Sequence, residues 1–168
     1  LAQSKQTPDI ILKLSNLLDY ILYQIEKPMV SLIDEVMHIK EYVDLEKIRF
    51  QDTLSVKFKM DIIDEAIQVA PMLLIPFVEN AFKHGSIIDG FLKVEIEIAL
   101  IDGKLGFIIR NTVLQEDMDR NKGGLGLENI RKRLDLNYDK NYSLATKIEQ
   151  NWYQVNLTIF NLKRLKNG

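Results

Sequence analysis

The apolar period of this chain first changes near Gln51, and that change decides its fold class. Before it, Ile11, Leu14, Leu18, Ile21 and Ile25 recur at spacings of 3, 4, 3 and 4, with Ile10, Leu17 and Leu22 widening the stripe. The pattern predicts a helix over about residues 10–25 whose broad face must pack on other helices. Thr7-Pro8-Asp9 supplies its cap and Lys27-Pro28 its end. Ser31 opens a second helix, with Asp34 and Glu35 in the first turn and Leu32, Val36, Ile39 and Val43 on one side, running to about Phe50. After Gln51 the period becomes two: Leu54, Val56, Phe58 and Met60 alternate with Ser55, Lys57 and Lys59, as in a half-buried strand. Pro71 is placed to open a helix through Phe82. Leu92 to Leu100 alternate strictly with Lys93, Glu95, Glu97 and Ala99, and Asp102-Gly103 turns the chain into a strand from Leu105 to Asn111. A polar stretch from Thr112 to Lys122, without apolar period, ends in Gly123-Gly124-Leu125-Gly126. A helix from about Leu127 to Tyr138 and strands over 142–149 and 152–160 follow. Helices gathered against one face of a largely antiparallel sheet make an α+β sandwich.

Charge and composition narrow the function. With 22 Lys+Arg against 24 Asp+Glu the net charge is -2, so no broad basic field holds nucleic acid or an anionic bilayer, and any bound anion needs a local site. Cysteine is absent, which excludes disulfides and thiolate chemistry, and His38 and His84 are too few for a histidine zinc site. The longest apolar run, Ala70 to Val78, contains Pro71 and Pro76 and falls far short of the roughly 20 residues that span a bilayer. The chain starts at Leu1 without a charged or apolar leader, so it reads as an internal or C-terminal fragment, with any targeting or membrane segment upstream. The stripe from Ile10 to Ile25 is too wide for one neighbour, and a four-helix bundle from two chains would cover it, which predicts a homodimer in the parent protein.

Two features point to chemistry. On the helix from Pro71, Leu74, Phe77, Val78, Ala81 and Phe82 share one side, while Glu79, Asn80, Lys83 and His84 fall within an arc of about 140° on the other. A neutral amide oxygen suits a hard cation and Lys and His⁺ offset phosphate charge, so this face fits a metal-bearing phosphate chain; a solvated polar face accounts for it equally. Gly123-Gly124-Leu125-Gly126 lies between a polar loop and a helix, where backbone N–H groups form an anion site or glycines merely turn the chain. It has neither the Lys-Ser/Thr ending of a P-loop nor the spacing of a dinucleotide fingerprint.

In order along the chain, Pro71-x-x-Leu74-x-Pro76-x-Val78-Glu79-Asn80-Ala81-x-Lys83-His84-Gly85 and Gly123-Gly124-Leu125-Gly126-Leu127-x-Asn129-x-Arg131-x-Arg133-Leu134 resemble the LytS-type sensor histidine kinases. Lys13-Leu14-Ser15-x-Leu17-Leu18-x-Tyr20 and Ile39-x-x-Tyr42-x-x-Leu45-Glu46-x-x-Arg49-Phe50 extend the likeness to nearly the whole chain. The resemblance implies part of a dimerisation and phosphotransfer hairpin over 1–30, a linking helix over 31–51, and a Bergerat-type ATP-binding catalytic domain over 52–168. It implies ATP with Mg²⁺ as cofactors and a response regulator as partner. The parent would be a membrane-anchored protein with this portion in the cytoplasm.

Carried over by residue, Asn80 matches the N-box asparagine that coordinates Mg²⁺ on the triphosphate, and Lys83 and His84 match positions approaching the phosphates. Gly124 and Gly126, with Gly123 and Leu125 around them, match the glycine box of the ATP lid, which the stretch 112–122 would complete by ordering with nucleotide. Glu79 is the candidate to polarise the acceptor imidazole. Related ATPases often carry that acid four positions before the asparagine, where this chain has Pro76. Asn111 stands where an aspartate usually reads the adenine amine; a neutral acceptor is worth roughly 0.5–1.5 kcal/mol rather than the 1.5–3 of a charged one, which predicts modest ATP affinity. Arg131 and Lys122 are candidates to reach phosphates on lid closure, and also fit a solvated surface.

The family's acceptor histidine precedes a Phe-Leu-Phe-Asn-type run on a helix ahead of Leu1. His38 lacks that context and reads as a surface helix residue, so the chain alone should bind ATP without labelling itself. Two other readings stay open: a degenerate nucleotide-sensing dimerisation module without kinase activity, and an ATP-hydrolysing clamp of the gyrase or MutL kind, which would need a further domain after the ATPase fold.

Overall fold

The computed structural model describes residues 11–12, 15, 27–62, 64, 66–114 and 125–164. Its elements run β1 (Val30–Ser31), α1 (Leu32–Phe50), β2 (Leu54–Asp61), β3 (Ile67–Val69), α2 (Ile75–His84), β4 (Leu92–Ile101), β5 (Lys104–Thr112), α3 (Leu125–Tyr138), β6 (Tyr142–Glu149), β7 (Trp152–Ile159) and β8 (Lys163–Arg164). Ser31 caps α1 as its position predicts: its hydroxyl accepts the Ile33 N–H at 3.1 Å. Leu32, Val36, Ile39 and Val43 are buried, and Glu35 and Glu46 are buried beside them.

The main sheet has the order β2-β4-β5-β7-β6. β2 pairs parallel to β4 and the other pairs are antiparallel, so the sheet is mixed. Along β4 the alternation holds: Leu92, Val94, Ile96, Ile98 and Leu100 are buried. Asp102 and Gly103, at φ 51° and 71°, make the predicted hairpin turn. On the inner face the Phe77 ring of α2 lies 5.8 Å from Phe107 of β5, and Ile130 and Leu134 of α3 are buried in the same core. α1 packs on α2 through Tyr42 and Phe82, whose rings are 5.9 Å apart. The outer face carries a polar row, one residue per strand, in register: Lys57, Glu95, Arg110, Gln154 and Lys147. Glu95 takes a bond from Lys57 at 3.0 Å and another from Arg110 Nε at 2.7 Å, which keeps that face wet.

Several boundaries differ from the sequence reading. α2 begins at Ile75, not Pro71, because Met72 takes a left-handed φ of 53° and the Glu35 carboxylate claims the N–H groups of Met72 and Leu74. Pro76 sits in the first turn of α2 instead. α3 starts at Leu125, so Leu125 and Gly126 belong to its first turn, not to a loop. Thr112 closes β5 and is buried together with Val113, so the predicted mobile stretch loses its first two residues. β7 ends at Ile159. The strands β1, β3 and β8, unforeseen, form a second sheet of order β1-β3-β8. Of the predicted helix over 10–25, Ile11, Leu12 and Ser15 are helical, with Ile11 and Leu12 exposed, and the rest of the stripe lies outside the described residues.

Candidate functional site

Because Ile75, Phe77, Val78, Ala81 and Phe82 lock α2 into the core, its polar positions must point away from the sheet. They divide between two flanks. Glu79 and Lys83 line a groove of about 550 Å³ with Tyr42, Arg49 and Phe50 of α1 and with Phe82 and Gly85. Asn80, partly buried, faces the start of α3. A β carbon on Gly126 would stand 3.5 Å from Asn80 Oδ1 and 3.6 Å from its Nδ2, so the absent side chain leaves the amide a small cradle. His84 is exposed in the last turn of α2. Asn111 points inward from β5, 3% exposed, and donates from Nδ2 to the Thr112 carbonyl at 3.1 Å. It stands beside the end of α2, 3.4 Å from where a β carbon on Gly85 would lie. Gly123, Gly124 and Lys122 lie outside the described residues, and the side chain of Leu125 does too.

Sequence reasoning missed the pair that ties α2 to β5. Thr112 Oγ1 donates to the Ser86 carbonyl at 2.7 Å and accepts the Lys93 N–H at 3.1 Å, while Ser86 N–H bonds the Thr112 carbonyl at 2.8 Å. It also missed the groove face of α1, although Tyr42, Glu46 and Arg49 stand at helical spacing. Glu46 and Arg49 pair at 2.7 Å, and burial, then the bond to Glu46, pushes the Tyr42 hydroxyl well above its ordinary value. His38, which the sequence reading places at the surface, is partly buried on α1 and pairs with Glu41 at 3.2 Å.

Partial burial in the groove raises the Glu79 carboxyl above its ordinary value, with Lys83 opposing. A carboxyl raised on folding binds more protons in the folded chain than in the unfolded one across that window, so it lowers stability as pH rises from the ordinary carboxylate range through the raised value. Glu79→Gln is therefore expected to gain stability relative to the wild type as pH rises through that window. Urea midpoints measured against pH check this; a variant curve parallel to the wild type contradicts it.

Among the described residues no cluster of three His, Cys, Asp or Glu side chains is placed to hold a metal ion. A cation at Asn80 would thus take most of its ligands from a phosphate chain and water, as Mg²⁺ commonly does. No helix among the described residues is long and apolar enough to cross a membrane.

This inner-face arrangement, helices α2 and α3 over a five-stranded mixed sheet, is that of histidine-kinase catalytic domains. The catalytic domain of histidine kinase ThkA, in a nucleotide-free form, matches with a TM-score of 0.56 at 16% identity, over 78% of this chain and 94% of that one. ThkA in complex with the response regulator protein TrrA matches with a TM-score of 0.57 at 16% identity, over 90% and 48%. In sequence, the family described as Histidine kinase matches residues 1–54. Sensor histidine kinase BtsS of Escherichia coli (strain K12) is 30% identical over 126 residues, 74% of this chain and 22% of its own length. Sensor protein LytS of Oceanobacillus iheyensis is 30% identical over 142 residues, 74% and 24%. The chain belongs to the LytS-type sensor histidine kinases, and spans about a fifth of the length of these relatives.

Proposed function

We propose that this chain is the ATP-binding catalytic region of a two-component sensor kinase, which passes the γ-phosphate of ATP to a histidine outside this sequence and then to a response regulator. The observation that carries the reading is the cradle between Asn80 and Gly126, 46 positions apart in sequence, which brings the two motifs to one place. Residues 31–51 serve as the linker to a dimerisation hairpin that includes 1–30, and 52–168 form the nucleotide domain.

Asn80 holds the metal through Oδ1, and the α3 start at Leu125 and Gly126, with Gly123 and Gly124 ahead of it, offers backbone N–H groups to the phosphates. Lys83 and His84 approach the same phosphates. Mg²⁺, when bound, would neutralise charge on the transferring phosphoryl group. Asn111, whose Nδ2 is committed to Thr112, leaves its Oδ1 to accept from the adenine amine. Glu79 orients the acceptor imidazole, whose nitrogen attacks the γ-phosphorus as the bond to the bridging oxygen breaks and ADP leaves. The groove it shares with Tyr42 and Arg49 gives that imidazole an approach along α1. The partner is a response regulator, as in the ThkA complex, and the functional unit is a homodimer. The parent is anchored in the membrane with this region on the cytoplasmic side, and nucleic acid is no partner.

Calorimetry of the chain with ATP and Mg²⁺ tests the site. Binding is expected to be modest, and Asn111→Ala to weaken it by about 2- to 10-fold, the equivalent of 0.5–1.5 kcal/mol. Micromolar or tighter binding indifferent to Asn111→Ala contradicts the adenine assignment. With the parent and γ-labelled ATP, acid-labile phosphate on histidine is expected. Nucleotide binding without that label would favour the degenerate sensing module, to which Pro76, one turn before Asn80, lends weight.

A further inference from the structure

α2 has no side-chain cap of its own: Leu74 stands at its N-cap position and makes no such bond. Its start is set from outside. Glu35 of α1, 1% exposed, accepts the N–H groups of Met72 and Leu74, the latter at 3.2 Å. From α3, Arg133 donates to the Pro71 carbonyl, and the Tyr138 hydroxyl accepts the Ala70 N–H at 2.8 Å. The backbone of 70–74 is thereby tied to side chains of the two helices that flank α2. Met72 is held at a φ of 53°, which a residue with a β carbon seldom adopts without such restraint.

We propose that Glu35 is a positioning residue of the nucleotide site: by holding the Met72 and Leu74 amides it fixes the start of α2, and through it the place of Asn80 against Gly126. This rests on the nucleotide reading above. A carboxylate is the side chain suited to the task, because two oxygens accept two N–H donors, whereas a glutamine amide offers one oxygen and turns an NH₂ toward the other donor. Glu35 also lies in the first turn of α1, so a shift of that helix acts on α2 through this carboxylate as well as through packing.

The test compares two ligands on the 168-residue chain. Adenosine reports the Asn111 side of the site alone, whereas Mg²⁺-ATP also reports Asn80. Glu35→Gln is expected to weaken Mg²⁺-ATP about tenfold, as small misplacements of a positioned group do, and to leave adenosine affinity, followed by NMR titration, unchanged. Equal losses for both ligands, or no loss for either, overturn the role of Glu35. If the wild-type chain does not bind Mg²⁺-ATP, the nucleotide reading falls and this inference with it. Should Glu35→Gln not fold, Tyr138→Phe, which removes only the acceptor of the Ala70 N–H, is expected to give the same split at smaller size. Hydrogen exchange adds an independent arm: the Met72 and Leu74 amides of the wild type should exchange as slowly as those in the middle of α2, and rapid exchange overturns the proposal.

Discussion

Asn80→Ala is expected to leave the chain folded and to remove the Mg²⁺-dependent part of ATP binding. Asn80 is only partly buried and its amide opens onto the space left by Gly126, so truncation costs the core nothing. Alanine is also the better helix former, by up to about 0.7 kcal/mol in a helix interior, so the melting temperature should hold or rise slightly. Function moves the other way. On the metal placement proposed above, losing the Asn80 oxygen, with no cluster of three His, Cys, Asp or Glu side chains placed to hold an ion among the described residues, should lower phosphoryl transfer in the parent by roughly 10²-fold, the scale seen when one preorganised polar group is removed. ATP titrations with and without Mg²⁺ read the effect directly. A variant that keeps the Mg²⁺-stimulated affinity of the wild type contradicts the placement of the metal.

Gly85→Ala is expected to give a large loss of stability. A β carbon there would lie 2.4 Å from Leu92 Cδ1 and 2.6 Å from the Ala81 carbonyl oxygen. Leu92 is fully buried on β4 and Ala81 O belongs to the last turn of α2, so neither can step aside without moving an element. The backbone at Gly85, at φ -71° and ψ 150°, suits any residue, so the cost is steric and falls in the overpacking range of about 1–3 kcal/mol. For a chain of this length that is a fall in melting temperature of about 2–4 °C per kcal/mol. Gly106→Ala is the control: its β carbon would meet only the Ala99 carbonyl, at 3.8 Å, on the outer face of the sheet, and the change should stay within about 0.5 kcal/mol. Thermal melts of both variants decide it; similar behaviour would mean that α2 does not press on β4 as described.

Elements whose pattern repeats several times were legible in the sequence. β4 displays its period of two over nine residues, Asp102-Gly103 has the chemistry its turn requires, and Ser31 announces α1. β1, β3 and β8, of two or three residues, are too short to show any period, and their pairing joins segments far apart in the chain. The start of α2 was misread because a local rule about proline competes with a bond from Glu35, almost 40 residues upstream. Glu35 itself carried a signal that was open to reading. It was explained as an acid at a helix start, yet it shares the buried stripe of Leu32, Val36 and Ile39, where an acid needs partners. In the site, spacing kept Glu79, Asn80, Lys83 and His84 off the buried side of one helix, and the structure divides them between two flanks. Which neighbour each meets depends on where α1 and α3 come to lie, and no helical wheel contains that.

The small sheet β1-β3-β8 has a mechanical consequence. Val30 and Arg164 lie on the two strands that flank the three-residue β3, so those strands run about 10 Å apart, two strand spacings. β3 leads directly into Ala70 and the turn before α2. A displacement imposed at Val30 and one imposed at Arg164 therefore meet at one strand, next to the turn that sets the start of α2, and a rigid label fixed at Arg164 would bear on the same strand that holds Val30.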